Sequence, residues 1–414
     1  MKRLILLYFF LAAIFLSHYA IAGQAVYGDG IDYWAYLHSV YFDHDIDFEN
    51  EYRHLYSSEY NNHHPEVQAA DIQKTFRTPI GKTDNPHLPG TALLLMPFYI
   101  LADGIVRLEL PVLRNGYSDI YQIVCGLGAV LYVVLATSFV EKICFFYSND
   151  RRLSILAALA ILLASPLLYY GSYDIINSHF ASYFLVSLFW YLLLLQPQKL
   201  LLIGVVMGGA TLVRIHEALL VLPLVTQKRK LSELSIILVV FGITILPLWV
   251  IWEYLYRLPY PYYYATMGHI YRGIWGSLFH PTNGLFSRTP LLLLALLPLK
   301  NRQTRKLLAP MLVYLALSFI LITYQGGWMD PAYGGRMYIS NFPLFAILLT
   351  GLLKFIREKY SMRFVYNLVG FFFVLNALSI GSFVLFEKEV NSGQRRGLEE
   401  QTLQRLQQKI PFLQ

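Results

Sequence analysis

The chain has 414 residues, of which 56% are hydrophobic, 16% aromatic and only 14% charged, with a mean hydropathy of +0.46. A soluble globular domain carries about 25% charged residues, so this composition excludes that class and indicates a membrane protein with several spans. The net charge is +7, but the basic residues are scattered instead of forming one continuous patch, which argues against a nucleic-acid partner.

The N-terminal segment has two interpretations. Residues 1–23 combine a basic start, an apolar core and the sequence AIA before Gly23, an order that is typical of a cleaved signal peptide. The apolar part is about 18 residues long and many apolar segments follow it, so we interpret it as a retained first span.

Apolar segments of helical length recur as far as residue 386, so we predict an all-α integral membrane domain over residues 1–390 and a short polar tail over 391–414. The clearest spans cover residues 4–22, 118–140, 153–171, 179–195, 233–252, 307–324, 339–355 and 364–386. Shorter or interrupted segments cover 91–106, 200–225 and 285–299.

Charge asymmetry predicts the orientation of these spans. Basic residues gather in short loops such as Arg151–Arg152 and Lys228–Lys230, which the positive-inside rule places in the cytoplasm. Residues 24–89 contain eleven acidic and only four basic residues, so this large loop is expected outside. By the resulting parity, 91–106 should start and end outside, and 200–225 should form a bent hairpin.

The same orientation collects four polar segments on the outer side, as a single outward-facing site would need: 29–89, 169–179, 253–289 and 325–341.

Two carboxylates follow the first span in the sequence YGDGIDYW. In the structural interpretation Asp29 caps a helix and Asp32 interacts favourably with its dipole. In the functional interpretation Asp29 is a general base at the membrane surface that takes a proton from an acceptor hydroxyl. We predict that the following residues form an amphipathic helix on the outer leaflet, with these side chains along one side: Tyr33, Trp34, Leu37, Val40 and Tyr41.

The acidic run FDHDIDFENEY suggests a calcium loop through Asp43, Asp45 and Asp47. An EF-hand that starts at Asp43 would need Gly and Glu where the chain has Phe48 and His54. A solvated acidic face is the favoured interpretation. No metal site is predicted, and a loosely held divalent metal is the less favoured alternative.

Basic residues at other outer span ends are candidates for the same site. Arg336, in GGRMYISNFP, suits a lipid-linked phosphate because a guanidinium binds phosphate through two parallel hydrogen bonds. His280 and Arg288 precede a further short apolar segment. An interfacial anchor is the structural alternative for such arginines.

Two further groups of polar residues interrupt apolar sequence. Asp174, Asn177 and His179 lie within two turns of one another, where helix capping is the structural alternative. Arg214 and His216 lie inside the segment 200–225, where a charge is costly unless it is paired or functional. Glu217 is the candidate partner that would make this pair structural.

The order of these features resembles the polytopic GT-C glycosyltransferases, the superfamily of protein O-mannosyltransferases and lipid A aminoarabinose transferases. The pieces that carry the resemblance span residues 22–355: GDGIDYWAYLHSV, TDNPHLPGTALLLMPFYILA, SPLLYYGSYDIINSHFASYFLV, GGATLVRIHEALLVLPL, HPTNGLFSRTPLLLLAL and GGWMDPAYGGRMYISNFPLF. The sequence is most similar to bacterial members that lack a soluble C-terminal domain. This similarity implies a GT-C-type bundle in the inner (cytoplasmic) membrane with its site facing the periplasm or exterior.

The resemblance also implies an activity and roles for particular residues. The activity is transfer of a sugar from a polyprenyl-phosphate donor to a hydroxyl of a lipid, glycan or protein acceptor, with inversion. Asp29 matches the family's base, but Gly30 stands where an Asp-Glu pair would have its second acid, and Asp32 is the candidate that would replace it. The remaining site residues are expected to be Arg336, Arg288 and His280 for the donor phosphate, and His87, Asp174 and His179 for acceptor or donor.

Two other function classes remain as alternatives. A transporter or flippase of a lipid-linked intermediate often shows matched halves with corresponding broken helices, a symmetry that this sequence lacks. In a structural envelope subunit, Asp29 and Arg336 would be a helix cap and an interfacial anchor.

Overall fold

The computed structural model describes residues 2–55, 77–108, 113–226, 229–257, 270–281, 283–325 and 332–386. Its helices, in chain order, are α1 (Lys2–Ala22), α2 (Asp29–His38), α3 (Glu49–Leu55), α4 (Gly90–Val106), α5 (Asp119–Ser148), α6 (Arg151–Leu163), α7 (Ser178–Leu195), α8 (Leu200–Val213), α9 (Val221–Thr226), α10 (Leu231–Tyr256), α11 (Ile270–Phe279), α12 (Leu285–Arg288), α13 (Pro290–Ala295), α14 (Arg302–Leu307), α15 (Ala309–Gln325), α16 (Phe342–Lys359) and α17 (Met362–Phe386).

Every element of regular secondary structure in the described ranges is a helix. Six helices in these ranges are long and apolar enough to cross a membrane. These six lie at Lys2–Ala22, Asp119–Ser148, Ser178–Leu195, Leu231–Tyr256, Arg336–Lys359 and Met362–Leu385. The prediction of an all-α, multi-pass membrane protein is confirmed. The predicted polar tail, 391–414, lies outside the described residues.

Helix α5 is the centre of the bundle, because α1, α4, α6, α7 and α16 all pack against it. Two glycines on α5 allow aromatic rings to reach its backbone. A Cβ atom on Gly126 would lie 2.1 Å from the ring of Phe15, and one on Gly128 would lie 2.3 Å from the ring of Phe98. Small residues that permit close approach are the usual basis of helix association in membranes, so this pair of glycines positions α1 and α4.

The predicted continuous span at 153–171 is wrong. Helix α6 ends at Leu163, and a π-helical turn at Tyr169–Tyr173 follows the break. Pro166 lies in this break, and proline both lacks a backbone N–H and restricts the residue before it. The chain therefore turns here and brings the residues that follow Tyr173 towards α2.

The predicted interruption of 200–225 is confirmed. Helix α8 ends at Val213, Arg214 has an extended backbone, and a 3₁₀ turn at Ile215–Leu220 leads into α9. Irregular backbone at membrane depth persists only where protein or water satisfies its polar groups. At this break the guanidinium of Arg214 contacts Ser178 and His179 at the start of α7.

Helix α2 exists, but its predicted place on the outer leaflet is wrong. Nine of its ten residues are buried, from Gly30 to His38, and α4 packs against it. An interfacial helix would expose its apolar face to lipid. The aromatic side chains that suggested such a face are packed inside the protein, because Trp34 binds the carbonyl oxygen of Gly116 at 3.0 Å and its ring meets that of Tyr99 edge-on.

A buried carboxylate at the end of α4 holds the elements beneath α2 together, and sequence reasoning missed it. Asp103 has no exposed surface. It accepts hydrogen bonds from the hydroxyls of Tyr121 at 2.6 Å and Tyr41 at 2.8 Å, and from the guanidinium nitrogens of Arg107 and Arg114, each at 2.8 Å. This Asp103 cluster joins α4 to α5, to the turn after α2 and to the loop that precedes α5.

Candidate functional site

Two glycines determine where Asp29 lies. Gly28 has φ +53°, a conformation that favours glycine, and it immediately precedes α2. A Cβ atom on Gly30 would lie 2.7 Å from the carbonyl oxygen of Ile176, so only glycine lets the segment after Tyr173 pack this closely. Gly28 therefore occupies the N-cap position that the capping interpretation assigned to Asp29, whose carboxylate is directed elsewhere.

The carboxylate of Asp29 forms an ion pair with Arg336. The distance from Arg336 Nη1 to Asp29 Oδ2 is 3.2 Å, across 307 residues of sequence. The side chains of Asp29 and Arg336 are 38% and 13% exposed, so the pair is open to solvent on the carboxylate side. The two residues are therefore in direct contact, whereas their lining of one outward-facing cavity stays a prediction.

Asp32 belongs to the same group but has a different environment. Its Oδ2 lies 2.7 Å from His87 Nδ1, and its Oδ1 accepts a 2.8 Å hydrogen bond from the hydroxyl of Tyr52. The side-chain amide of Asn85 donates to its backbone carbonyl at 2.9 Å. Asp32 is only 6% exposed, so it is suited to orienting its neighbours, while Asp29 is the carboxylate that a substrate can reach.

His87 bridges the two carboxylates. Its Nδ1 contacts Asp32, and its Nε2 lies 3.9 Å from Asp29 Oδ2. Burial disfavours the charged imidazolium, but the hydrogen bond with Asp32 and the negative charges of Asp32 and Asp29 outweigh burial and the repulsion from Arg336, so the pKa of His87 is raised above its ordinary value. The charged form of the ring is therefore favoured between the two carboxylates.

A second guanidinium group, that of Arg214, lies beside Arg336. Arg214 Nη2 is 2.8 Å from His179 Nδ1, its Nε donates to Ser178 Oγ at 3.2 Å, and its Nη1 donates to the carbonyl oxygen of Met337 at 3.4 Å. Met337 directly follows Arg336. The two guanidinium groups thus converge on the 3₁₀ turn at Arg336–Asn341 that leads into α16.

Tyr33 connects the residues around Asp29 and His87 with Ser178 and Arg214. Burial, reinforced by the charge of Asp29, raises the pKa of the Tyr33 phenol, while Ser178 and Arg214 act in the opposite direction. Its ring meets that of His87 edge-on at 5.1 Å. Acidic residues from α2 and basic residues from α7, from the break after α8 and from the Arg336 turn therefore form one continuous polar cluster, which we call the Asp29–Arg336 site. It consists of Asp29, Asp32, Tyr33, His87, Ser178, His179, Arg214 and Arg336.

No family model, curated protein or solved structure matches the chain. The resemblance to GT-C glycosyltransferases thus rests on the sequence motifs alone.

Contacts among the four polar segments confirm that they meet. Besides the Asp29–Arg336 pair, the hydroxyl of Tyr256 donates to Asp84, and the backbone N–H of Tyr333 donates to the Tyr170 hydroxyl at 2.9 Å. These bonds join 253–289 to 29–89 and 325–341 to 169–179.

Three other predicted site residues have contacts of their own. Arg288 donates to Ser379 Oγ at 3.0 Å and lies over the ring of Tyr333, and the Nδ1 of exposed His280 accepts from the N–H of Asn283 at 3.4 Å. Asp174 is buried at the end of the π-helical turn.

The capping alternative holds for Asn177, and the pairing alternative holds for Glu217 with His216 but not with Arg214. Asn177 caps α7, because its side chain accepts from the N–H of His179 at 2.6 Å. Glu217 accepts hydrogen bonds from Ser182 at 2.7 Å and from Tyr314, and it lies 3.5 Å from His216. It is a structural carboxylate, and its partners are these side chains instead of Arg214.

Proposed function

We propose that the chain is a GT-C-type membrane glycosyltransferase that transfers a sugar from a polyprenyl-phosphate donor to an acceptor hydroxyl, with the site on the outer face. The observation that carries the proposal is the 3.2 Å approach of Asp29 to Arg336, with the carboxylate still 38% exposed. A proton acceptor and an anion-binding group thus lie side by side at the ends of apolar helices.

The proposed reaction gives these two groups separate roles in one displacement, and the ion pair between them opens when the substrates bind. The acceptor oxygen forms a bond to the anomeric carbon while the bond from that carbon to the phosphate oxygen breaks. The hydroxyl proton passes to Asp29, and the electron pair leaves with the phosphate. Arg336 stabilises the negative charge that develops on the departing phosphate. Direct displacement inverts the anomeric centre.

Other members of the site have supporting roles in this proposal. Asp32 and His87 orient Asp29, because Asp32 holds the imidazole at 2.7 Å and the other ring nitrogen faces Asp29. Arg214 adds a second positive charge beside Arg336, and it remains fixed by Ser178 and His179. Two guanidinium groups would bind a phosphate with more geometric specificity than one.

Purified protein in proteoliposomes, supplied with isotopically labelled polyprenyl-phosphate monosaccharides, tests the proposal. We expect cleavage of the donor, with the label recovered in a lipid, glycan or protein acceptor. Asp29→Asn should reduce transfer about 10²–10⁴-fold, because it preserves shape but removes proton acceptance. Arg336→Lys should weaken use of the donor without abolishing it, because the planar fork is lost but the charge is kept.

Asp47→Asn is the matched control, since Asp47 lies in the same outer loop and an Asn side chain can still accept from the backbone N–H of Glu49. Its transfer rate should equal that of the wild type. Full transfer by Asp29→Asn would show that the base lies elsewhere. Movement of the intact donor between leaflets without cleavage would support the transporter hypothesis instead.

A further inference from the structure

Three side chains at the opposite end of α2 form a group with the composition of a metal site. The ring of His38 lies at the end of the helix, Asp43 at the end of the π-helical turn Ser39–Asp43, and Glu51 in the first turn of α3. One ligand atom from each lies within 4.8 Å of the other two. His38 is nine residues after Asp29, roughly 13 Å along the helix axis, so this group is separate from the Asp29–Arg336 site.

The spacing of the atoms fits a shared ion. His38 Nδ1 is 3.2 Å from Asp43 Oδ2 and 3.0 Å from Glu51 Oε1. Nitrogen and oxygen ligands bind Zn²⁺ at about 2.0–2.2 Å, and two such ligands at tetrahedral or right angles are then about 3.0–3.5 Å apart. A hydrogen bond from the His38 ring fits this geometry less well than a metal ion does, because the single Nδ1–H cannot point at both carboxylates.

Glu51 supplies an independent indication that a positive charge belongs here. Its side chain has no exposed surface, and its second oxygen, Oε2, is buried and accepts no hydrogen bond in the part of the chain that the structure describes. An unsatisfied buried carboxylate oxygen costs considerable free energy. A metal ion bound by this carboxylate would remove that cost.

The three ligand groups are held in place by their neighbours. The ring of His38 is stacked between Phe42 at 5.0 Å and Tyr117 at 4.4 Å, and the side-chain amide of Asn50 donates to Asp43 Oδ2 at 2.8 Å. Such supporting contacts orient ligands before the metal arrives. The side chain of Asp43 is 30% exposed, which leaves a path for the ion and a position for water.

We propose that His38, Asp43 and Glu51 bind one divalent transition-metal ion of the zinc class, which fastens α3 to the end of α2. One imidazole and two carboxylates suit Zn²⁺ or Mn²⁺ better than Ca²⁺, which takes oxygen ligands. The consequence reaches the other end of α2, because Tyr52 directly follows Glu51 and binds Asp32 at 2.8 Å. The ion would thus hold Tyr52 against Asp32.

The test uses the full chain in detergent, with any affinity tag removed and metals stripped by EDTA, titrated with Zn²⁺. We expect one saturable site per chain. Asp43→Asn and Glu51→Gln should each weaken its affinity at least about tenfold, since loss of a mere supporting contact already costs 10–100-fold. Asp47→Asn, with the same charge change in the same loop, should bind as the wild type does. Zn²⁺ should raise the unfolding midpoint of the wild type and of Asp47→Asn more than that of the other two variants.

Several outcomes would overturn the proposal. These are the absence of saturable Zn²⁺ or Mn²⁺ binding, equal Zn²⁺ affinity in all four proteins, and binding of Ca²⁺ in preference to Zn²⁺. The first outcome would leave a shared proton between the carboxylates as the explanation for the cluster. Asp43 is partly exposed, so its variant keeps the test valid even where Glu51→Gln does not fold.

Discussion

Asp29 illustrates how one residue can satisfy a capping pattern and serve another purpose. Its position before an apolar helix is typical of an N-cap, but Gly28 takes that position and Asp29 pairs with Arg336 instead. The sequence could predict that both residues were candidates, because each lies beside a glycine pair at an outer span end. Their pairing could not be predicted, since nothing local relates two residues that are 307 positions apart.

Arg214 and Tyr52 also have partners that the local sequence could not predict. The charge of Arg214 within apolar sequence was a signal that it has a partner or a function. Its partners are Ser178 and His179 and not the adjacent Glu217, because the break after α8 turns its side chain towards α7. Tyr52 gave no signal at all, since a tyrosine in a polar loop is unremarkable until folding places it on Asp32.

His87 leads to a prediction about pH. Because its folded pKa is raised above the ordinary value of 6.5, its contribution to stability is fully present below pH 6.5 and is lost as pH rises through the folded value. His87→Gln should therefore lower the unfolding midpoint more at pH 6 than at pH 9. Thermal unfolding of both proteins in the same detergent at the two values measures this. A difference that grows with rising pH would contradict the assignment of Asp32 and Asp29 as the cause.

At the scale of elements, the helix break that a charge marks was predicted, whereas the break at a proline and the burial of α2 were not. The break at Arg214 was predicted because charge interrupts the apolar run, whereas the break at Pro166 lies inside an apolar run and was missed. The burial of α2 was also missed, since an aromatic helix packed on protein has the same pattern as one that lies on lipid. Contacts with distant segments, such as those of Gly30 and Gly116, separate the two.

The Asp103 cluster gives a prediction at this scale. Asp103→Asn keeps the size of the side chain but removes a buried charge that binds two arginines and two tyrosines. The side chains of Arg107 and Arg114 are 58% and 46% exposed, so we expect a cost of about 1.5–3 kcal/mol, the usual worth of a hydrogen bond to a charged group, and a lower unfolding midpoint in detergent.

Glu141→Gln on α5 serves as the control for this variant, because Glu141 is less buried. It should unfold as the wild type does. Equal midpoints for Asp103→Asn and the wild type would mean that the cluster does not hold α4 to α5.

At the scale of the whole molecule, composition sufficed for the class of protein, and charge asymmetry predicts its orientation. We expect Ile80, on the acidic loop, outside the cell and Arg302, in a basic loop, in the cytoplasm; both are exposed. Ile80→Cys should react with a membrane-impermeant maleimide in intact cells, and Arg302→Cys should react only after permeabilisation. The wild type should stay unlabelled, because Cys125 and Cys144 are buried.

Labelling of Arg302→Cys in intact cells would reverse the orientation and place the Asp29–Arg336 site in the cytoplasm. The same method applied at residue 110, which lies outside the described residues, tests whether α4 starts and ends on one side. Cytoplasmic labelling there would contradict the parity prediction.

The Asp29–Arg336 ion pair has a kinetic consequence under the proposed function. In the ligand-free protein, Asp29 already occupies the guanidinium that the donor phosphate must bind, so the carboxylate is an internal competitor of the donor. When the phosphate displaces it, Asp29 is released to accept a hydrogen bond from the acceptor hydroxyl. An acceptor that arrives first meets a carboxylate that is still engaged. The pair therefore imposes an order of addition in which the donor binds first and its arrival prepares the site for the acceptor.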